Sequence, residues 1–365
     1  MPRLNRREFL RIVGAGIGSA VSGSVFAGCS SPKPAAPTQT SIPSTPAPTS
    51  TEVATITTRP KSLRRPEIIK MYPASKSSVI YTHHGGVWSD DTLNAGVLSQ
   101  MLDTTLTKLT GLNDASESWR ALFDPGERIA IKANVFGNSL IWTHYPLVQA
   151  VTAGLIKAGI PAEQILIFDA LTSEFETAKY PVNPDGPGVR CRGTDRSYTD
   201  SFPAGIPYVQ LSDLLLQSDA LINMPVLKSH MIAGMTFTLK NHFGSTDNPS
   251  ALHNVVQGIP QLNALPAIKD RTRLVIGDML EANLKYTASW PYWKADYRGD
   301  AILMSYDPLA ADAFGFTVLD KLVTASGGEM ETLAGMAQPW LQAAASAGLG
   351  AGTAGNYGVT EIKLP

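Results

Sequence analysis

From residue 128 onward the chain repeats one pattern: a short β-branched run, a segment of helical spacing, then another such run. Residues 128–133 form the first run. Residues 146–158 have helical spacing and are stopped by Gly159 and Pro161, and residues 164–168 form the second run, ending at Asp169. Two strands joined through one helix pair in parallel, with a right-handed crossover. A parallel sheet must be covered on both faces. This requirement predicts an α/β fold: doubly wound, with a mainly parallel sheet and helices on both faces. The pattern continues in both directions. Upstream, 78–81 reads as a strand and 92–109 as a helix, capped by Asp90 or Asp91 and stopped by Gly111. Downstream come a short helix at 211–217, strands at 219–223, 273–276 and 301–305, and a helix at 309–323 with Asp307 as cap and Pro308 in its first turn.

The first 66 residues follow a different logic. Asn5-Arg6-Arg7-Glu8-Phe9-Leu10-Arg11 matches the twin-arginine export pattern, residues 12–26 are apolar but short, and Phe26-Ala27-Gly28-Cys29 resembles a lipoprotein cleavage box. Residues 1–29 therefore read as a signal. Arg6 and Arg7 would engage the twin-arginine export machinery, and Cys29 would carry a lipid that holds the protein on the outer side of a membrane in the cell envelope. Otherwise Cys29 is lost with a cleaved peptide or left as a thiol. Residues 30–66 are rich in Pro, Ser, Thr and Ala, with almost no large apolar side chain before Val53, and read as a disordered tether. Residues 67–365 read as a single α/β domain.

Composition excludes several classes. A net charge of −1 with no basic run offers nothing to nucleic acid. There are two cysteines; with Cys29 lipidated, only Cys191 keeps a thiol, so neither an internal disulfide nor an iron–sulfur cluster is expected. No phosphate loop, Gly-x-Ser-x-Gly elbow or His-Glu-x-x-His helix occurs, which disfavours the familiar hydrolase and metalloprotease classes.

The chemistry concentrates between residues 223 and 253, which hold Lys228, His230, Lys240, Asn241 and half of the six histidines. Polar residues also end the predicted strands: Asn134, Asp169, Asn223, Asp278 and Asp307. In an open parallel sheet the carboxyl ends share one edge. We therefore expect Lys228, His230 and Lys240 to face one crevice there, with Asn134, Asp278 and Asp307 in its rim. A helix opened by Gly234 and closed by Gly244 would set Thr236 and Lys240 on one face. Lys240 then reads as an anion ligand or a covalent amine, against the alternative of an ordinary surface lysine. His230 reads as an acid/base group, or as a metal ligand together with His253.

Asn223, Pro225, Lys228, His230, Thr236, Leu239-Lys240-Asn241 and Gly244, with Lys132-x-Asn134 before them and Asp307-Pro308 and Asp312 after, resemble the signature of the bacterial family called domain of unknown function 362. The resemblance covers roughly residues 78 to 365 and implies that Lys132, Asn134, Thr236 and Asn241 belong to the site; it implies no activity. Lys157-Ala158-Gly159-Ile160 and the spacing His230, Gly234, Lys240 are also similar, more faintly, to the N-terminal half of lactate racemase. In that enzyme the lysine matching Lys240 holds a nickel pincer cofactor covalently and flanking histidines bind metal or move protons, which implies such roles for His230 and His253. This chain departs from it, with Thr236-Phe237-Thr238-Leu239 in place of a Gly-Gly pair and Ala133-Asn134-Val135-Phe136-Gly137 in place of an Asp-x-x-Arg-Pro motif. The departures favour a shared fold over a shared cofactor.

Two functions stay open at this point. One is a small-molecule enzyme, or a redox or isomerase-like protein carrying a metal or a covalently held cofactor, with a Lys/His site. The other is a non-catalytic lipoprotein that binds a small anion or a protein partner.

Overall fold

Ten strands form the main sheet: β1 (Ser77–His84), β2 (Ile129–Lys132), β3 (Ile165–Asp169), β4 (Arg190–Gly193), β5 (Ala220–Asn223), β6 (Val226–His230), β7 (Gly234–Thr236), β8 (Thr272–Asn283), β9 (Tyr297–Ser305) and β10 (Tyr357–Leu364). The spatial order is β10-β1-β9-β8-β5-β2-β3-β4, with β6 on the far half of β8 and β7 on β6. Only β9 and β7 run against the rest of this sheet. The computed structural model describes residues 77–135, 139–199, 209–253, 256–286, 291, 293–353 and 355–365, all within the unit Thr57–Pro365. The signal, Cys29 and the tether lie outside the described residues. Among the described residues no helix is long and apolar enough to cross a membrane.

The central strands β2, β3 and β5 are buried at every position, which is why each is a continuous apolar run, rather than an alternating one, up to its last residue, Lys132, Asp169 or Asn223. Ile129, Ile131, Ile165 and Ile167 turn to one face, against Leu98, Met101 and Leu106 of α1 (Ala95–Thr110) and Leu147, Val151 and Leu155 of α2 (Tyr145–Lys157). Ala130, Leu166 and Phe168 turn to the other, in a core shared with Leu309 and Leu319 of α3 (Pro308–Ala325) and Trp340 of α4 (Glu331–Ser346). The expected doubly wound fold is present. The α1 cap is Asn94, whose side chain accepts from Gly96 N and Val97 N, rather than Asp90 or Asp91; Gly111 ends the helix at φ 75° as expected.

Two features position the site. The first is an interrupted strand. Met224 N donates to Lys132 O at 2.9 Å, the last bond to β2, and Pro225 O accepts from Asp278 N at 2.8 Å. Across Met224 and Pro225 the chain leaves β2 and continues as β6 along β8. The twelve residues of β8 thus serve two partners in turn, β5 from Thr272 to Val275 and β6 from Asp278 to Asn283. The result is an arm standing beyond the carboxyl ends of β2 and β3.

The second feature corrects the sequence reading. No helix joins Gly234 to Gly244: Gly234–Thr236 is a strand and Lys240–Ser245 a single 3-10 stretch. Met235, Phe237 and Leu239 alternate and are buried, a period of two. Asp312 of α3 accepts from Thr238 N at 2.6 Å and Leu239 N at 3.0 Å, which ties the backbone to that helix in place of an internal helical bond. Gly234 has φ +73°, and a Cβ there would lie 2.1 Å from Leu333 O of α4, so the start of β7 is open only to glycine.

Candidate functional site

Lys132, at the end of β2, is fully buried. Its Nζ meets Asp169 Oδ1 at 2.7 Å, Ala133 O at 2.7 Å and Asn241 Oδ1 at 3.2 Å. All three protons of the ammonium are used. Asp169 also accepts from Val135 N (2.7 Å) and Ala170 N (2.8 Å). Burial pushes the Lys132 pKa down, and Asp169 opposes it.

Asn241 is the hub of this layer. Its Nδ2 donates to Asn223 Oδ1 at 2.7 Å and Lys132 O at 3.2 Å, while its Oδ1 takes Asn134 Nδ2 at 2.9 Å as well as Lys132. Asn223 Nδ2 closes the network on Thr238 O at 2.8 Å. Gly244 crosses directly above: a Cβ there would lie 2.0 Å from Asp169 Oδ1 and 2.9 Å from Lys132 Nζ. The Asn, Lys, Asn and Gly of the signature therefore build one saturated floor, of the kind a low-dielectric interior demands.

A second layer lies above it and is not saturated. Four rings run in sequence: Trp293 and His230 at 5.3 Å between centroids, His230 and His253 stacked at 5.2 Å, and His253 and Phe243 edge-on at 4.8 Å. A lysine sits at each end, Lys228 Nζ 5.8 Å from the Trp293 ring and Lys240 Nζ 4.5 Å from the Phe243 ring. Lys228 is 3% exposed and has one hydrogen bond among the described residues, to Asn134 Oδ1 at 2.6 Å. Lys240 is 6% exposed, and its amine has no hydrogen-bond partner among the described residues. Burial pulls Lys228 down to about 7, with Asp169 opposing and Lys132 assisting. Lys240 is likewise pulled to about 7 by burial, with the charge of Lys228 adding to it.

The two histidines hold opposite tautomers. His230 Nδ1 accepts from Ile232 N (3.1 Å) and Ala233 N (3.2 Å), so its proton sits on Nε2. His253 Nδ1 faces the carbonyl of Pro249 at 3.0 Å, so it is the donor and Nε2 carries the lone pair. Burial, followed by the nearby lysines, keeps both well below the ordinary imidazole range, so both are neutral. One ring offers a donor and its stacked neighbour an acceptor.

The structure brings Lys132, Asn134, Lys228, His230, Lys240, Asn241 and His253 together at this edge, and Thr236 stands opposite Lys228 in the β6–β7 register. It does not bring Asp307. β9 runs antiparallel, so past Ser305, level with Val275 of β8 and Asn223 of β5, the chain heads away from the carboxyl ends of those two strands. Asp307 there caps α3 through Leu309 N and Ala310 N and takes bonds from Ser77 Oγ and Ala351 N. Asp278 comes level with Val226 in β6, but its carboxylate is spent on His144 and Leu280 N. Burial works against the His144 imidazolium, yet Asp278 and Glu281 outweigh it and raise the pKa to about 10. That makes His144 the partner of this carboxylate.

The metal reading for His230 and His253 does not fit either. Their planes are 20° from parallel with centroids 5.2 Å apart, and in-plane lone pairs so arranged do not converge on one ion at ligand distances of about 2 Å. Nor does any group of three or more metal-binding side chains occur among the described residues. Sequence reasoning missed Trp293 and Phe243, the rings against which the lysines rest. It named Asp169 only as a strand end, although a lysine and an aspartate closing neighbouring parallel strands is a signal for their ion pair.

The family described as domain of unknown function (DUF362) matches residues 129–317, more than half of the chain. No curated protein sequence matches. Among solved structures, a Thermotoga maritima protein is similar with a TM-score of 0.36 and 13% identity, over 66% of this chain and 60% of that one. The lactate racemase apoprotein from Thermoanaerobacterium thermosaccharolyticum is similar with a TM-score of 0.30 and 10% identity, over 51% of this chain and 48% of that one. The chain thus spans less than two thirds of the length of either structure.

Proposed function

We propose that this chain, which belongs to the DUF362 family, binds a small anionic molecule between Lys228 and Lys240 and acts on it as an enzyme. The observation that carries this reading is the Lys240 amine, 6% exposed and without a hydrogen-bond partner among the described residues. A lysine buried to this degree with no acceptor among the described residues carries a desolvation cost, and such a cost is characteristic of a functional site. An anionic group between the two lysines would supply the missing acceptors and restore their charge. The opposed tautomers of His230 and His253 favour chemistry over simple capture, because a fixed donor beside a fixed acceptor can steer a proton.

Calorimetric titration of the purified protein with a small carboxylate such as malonate tests the binding. Since the free amines titrate near 7, binding should take up protons and tighten as pH falls from 8 to about 6. It should be lost in Lys240→Met. Affinity that ignores both pH and this substitution would contradict the reading. Binding of a ligand with no turnover of any member of its class would favour the non-catalytic alternative.

The same proposal includes placement outside the cytoplasm, anchored through Cys29, on the strength of Arg6, Arg7 and the Ala27-Gly28-Cys29 box. Export that survives Arg6→Lys/Arg7→Lys would remove it.

A further inference from the structure

A cleft of about 500 Å³ lies between the turn at residues 88–93 and the segment 139–146, with Glu281 of β8 and Arg298 of β9 in its lining. Neither Lys228 nor Lys240 lines it. Both walls are fixed. Trp88–Ser89 pairs antiparallel with Thr92–Leu93, and Trp88 Nε1 donates to Gly299 O at 2.8 Å. On the other side Thr143 ties its segment down, its N donating to Asn134 O at 3.0 Å and its Oγ1 to Met224 O at 2.7 Å. Most of the lining is apolar: Trp88, Leu93, Leu140, Ile141, Trp142 and Pro146. Leu140 is 43% exposed, a large apolar side chain left uncovered in a concave site. The volume and the lining are those of a small-molecule pocket.

The polar groups decide the charge of the occupant. The two cations in the lining, His144 and Arg298, are already committed. His144 gives one ring nitrogen to Asp278 Oδ2 at 2.8 Å and the other to Glu281 Oε2 at 3.3 Å. Arg298 donates Nη1 to Asp90 O at 2.8 Å and Nη2 to Asp91 Oδ1 at 2.5 Å, with its guanidinium carbon 4.7 Å from the Trp88 ring. Asp91 and Arg298 cancel, whereas two carboxylates share one imidazolium, so a negative charge is left over at Glu281. That side chain is 24% exposed, and its Oε1 has no hydrogen-bond partner among the described residues. An anion would find no uncommitted cation here, and a cation finds an open carboxylate oxygen. The indoles agree with this, since the Arg298–Trp88 contact shows one of them already facing a positive group. We propose that the cleft is a second binding site, for a small molecule that carries a primary ammonium on an apolar body. The ammonium donates to Glu281 Oε1 and the body covers Leu140 and Trp142. The site shares no residue with the lysine tier, and the inference does not rest on the anion-binding reading above.

The test titrates the full chain at pH 7.5 in a calorimeter with three probes: 2-phenylethylamine, phenylacetate and ethylamine. The first joins a ring to an ammonium, the second joins the same ring to a carboxylate, and the third has the ammonium without the ring. Phenylethylamine should bind at one site, and each of the other two at least about tenfold more weakly. Glu281→Gln should weaken phenylethylamine on the order of tenfold; its amide oxygen still accepts from His144, so the fold around it is kept. Lys240→Met should leave the amine's affinity as it is. Phenylacetate binding as well as the amine, in wild-type protein that needs no variant, overturns the inference. So does an affinity that Glu281→Gln leaves unchanged, or one that Lys240→Met removes, which would put the amine at the lysines. Melting curves of both variants verify that the protein remains folded.

Discussion

Lys132 and Lys240 are both buried lysines at the carboxyl edge of one sheet, 0% and 6% exposed. Lys132 gives its protons to Asp169, Ala133 O and Asn241, within a network where Asn241 makes four bonds of its own. Lys240 has a ring beneath it and no acceptor among the described residues. Burial of a charge is tolerated when it is paired and expensive when it is not. The floor thus reads as scaffold and the tier above it as the working part, although both come from the same signature. A shared motif is no guarantee of a shared task; counting the bonds each residue makes separates the two.

The largest effect should come from breaking the floor. Asp169→Ala strands the Lys132 ammonium and frees Val135 N and Ala170 N, so unfolding free energy should fall by about 3–5 kcal/mol in urea denaturation. A loss below about 1 kcal/mol would mean that the floor is not what holds this edge together. Gly244→Ala should cost somewhat less, about 2–3 kcal/mol, because its Cβ would push apart the Asp169–Lys132 pair from 2.0 Å and 2.9 Å.

The tier should respond with the opposite sign. Lys240→Met should stabilise the protein by about 2 kcal/mol at neutral pH, as removal of an unpaired buried amine does. The pH dependence follows from proton counting. Folded Lys240 titrates near 7 and the unfolded residue near 10.5, so between these values the unfolded chain binds more protons. Wild-type stability from this group therefore rises with pH across that window. The advantage of methionine should be full below pH 7 and vanish by about pH 10.5 in thermal melts. A destabilising Lys240→Met would place Lys240 with the floor and erase the contrast.

The fold was legible because it rests on local signals. The apolar runs of β2, β3 and β5, Pro146 and Pro308 in first turns, and Gly111 past a helix end all act where they stand in sequence. What was not legible depends on partners far away. The Gly234–Gly244 segment has glycines where helix ends would be, yet Asp312 of α3 and the strand β6 claim its backbone. Asp307 looked like the other strand ends, but the direction of β9 is decided by its pairing with β1 and β8 and not by its own residues. The closing strand β10, half-exposed along its length, has no apolar run to announce it and is defined by its register with β1. Of the site, the lysines and His230 were readable as chemistry out of place in a core; Trp293, which arrives from the segment between β8 and β9 and is anchored by a bond from its Nε1 to Ser229 O at 2.9 Å, left no trace in the local sequence.

The contrast between the two layers is tested most directly by titrating the lysine side chains in the folded protein. Labelling lysine with carbon-13 and nitrogen-15 and following the Cε and Nζ resonances from pH 5 to 11, with Lys228→Met and Lys240→Met for assignment, reads each amine separately. Lys228 and Lys240 should titrate near 7, about three units below the lysine of a model peptide, about 10.4. Lys228 and Lys240 titrating together with the surface lysines would contradict the account, because the tier would then hold two ordinary ammonium groups that need no ligand.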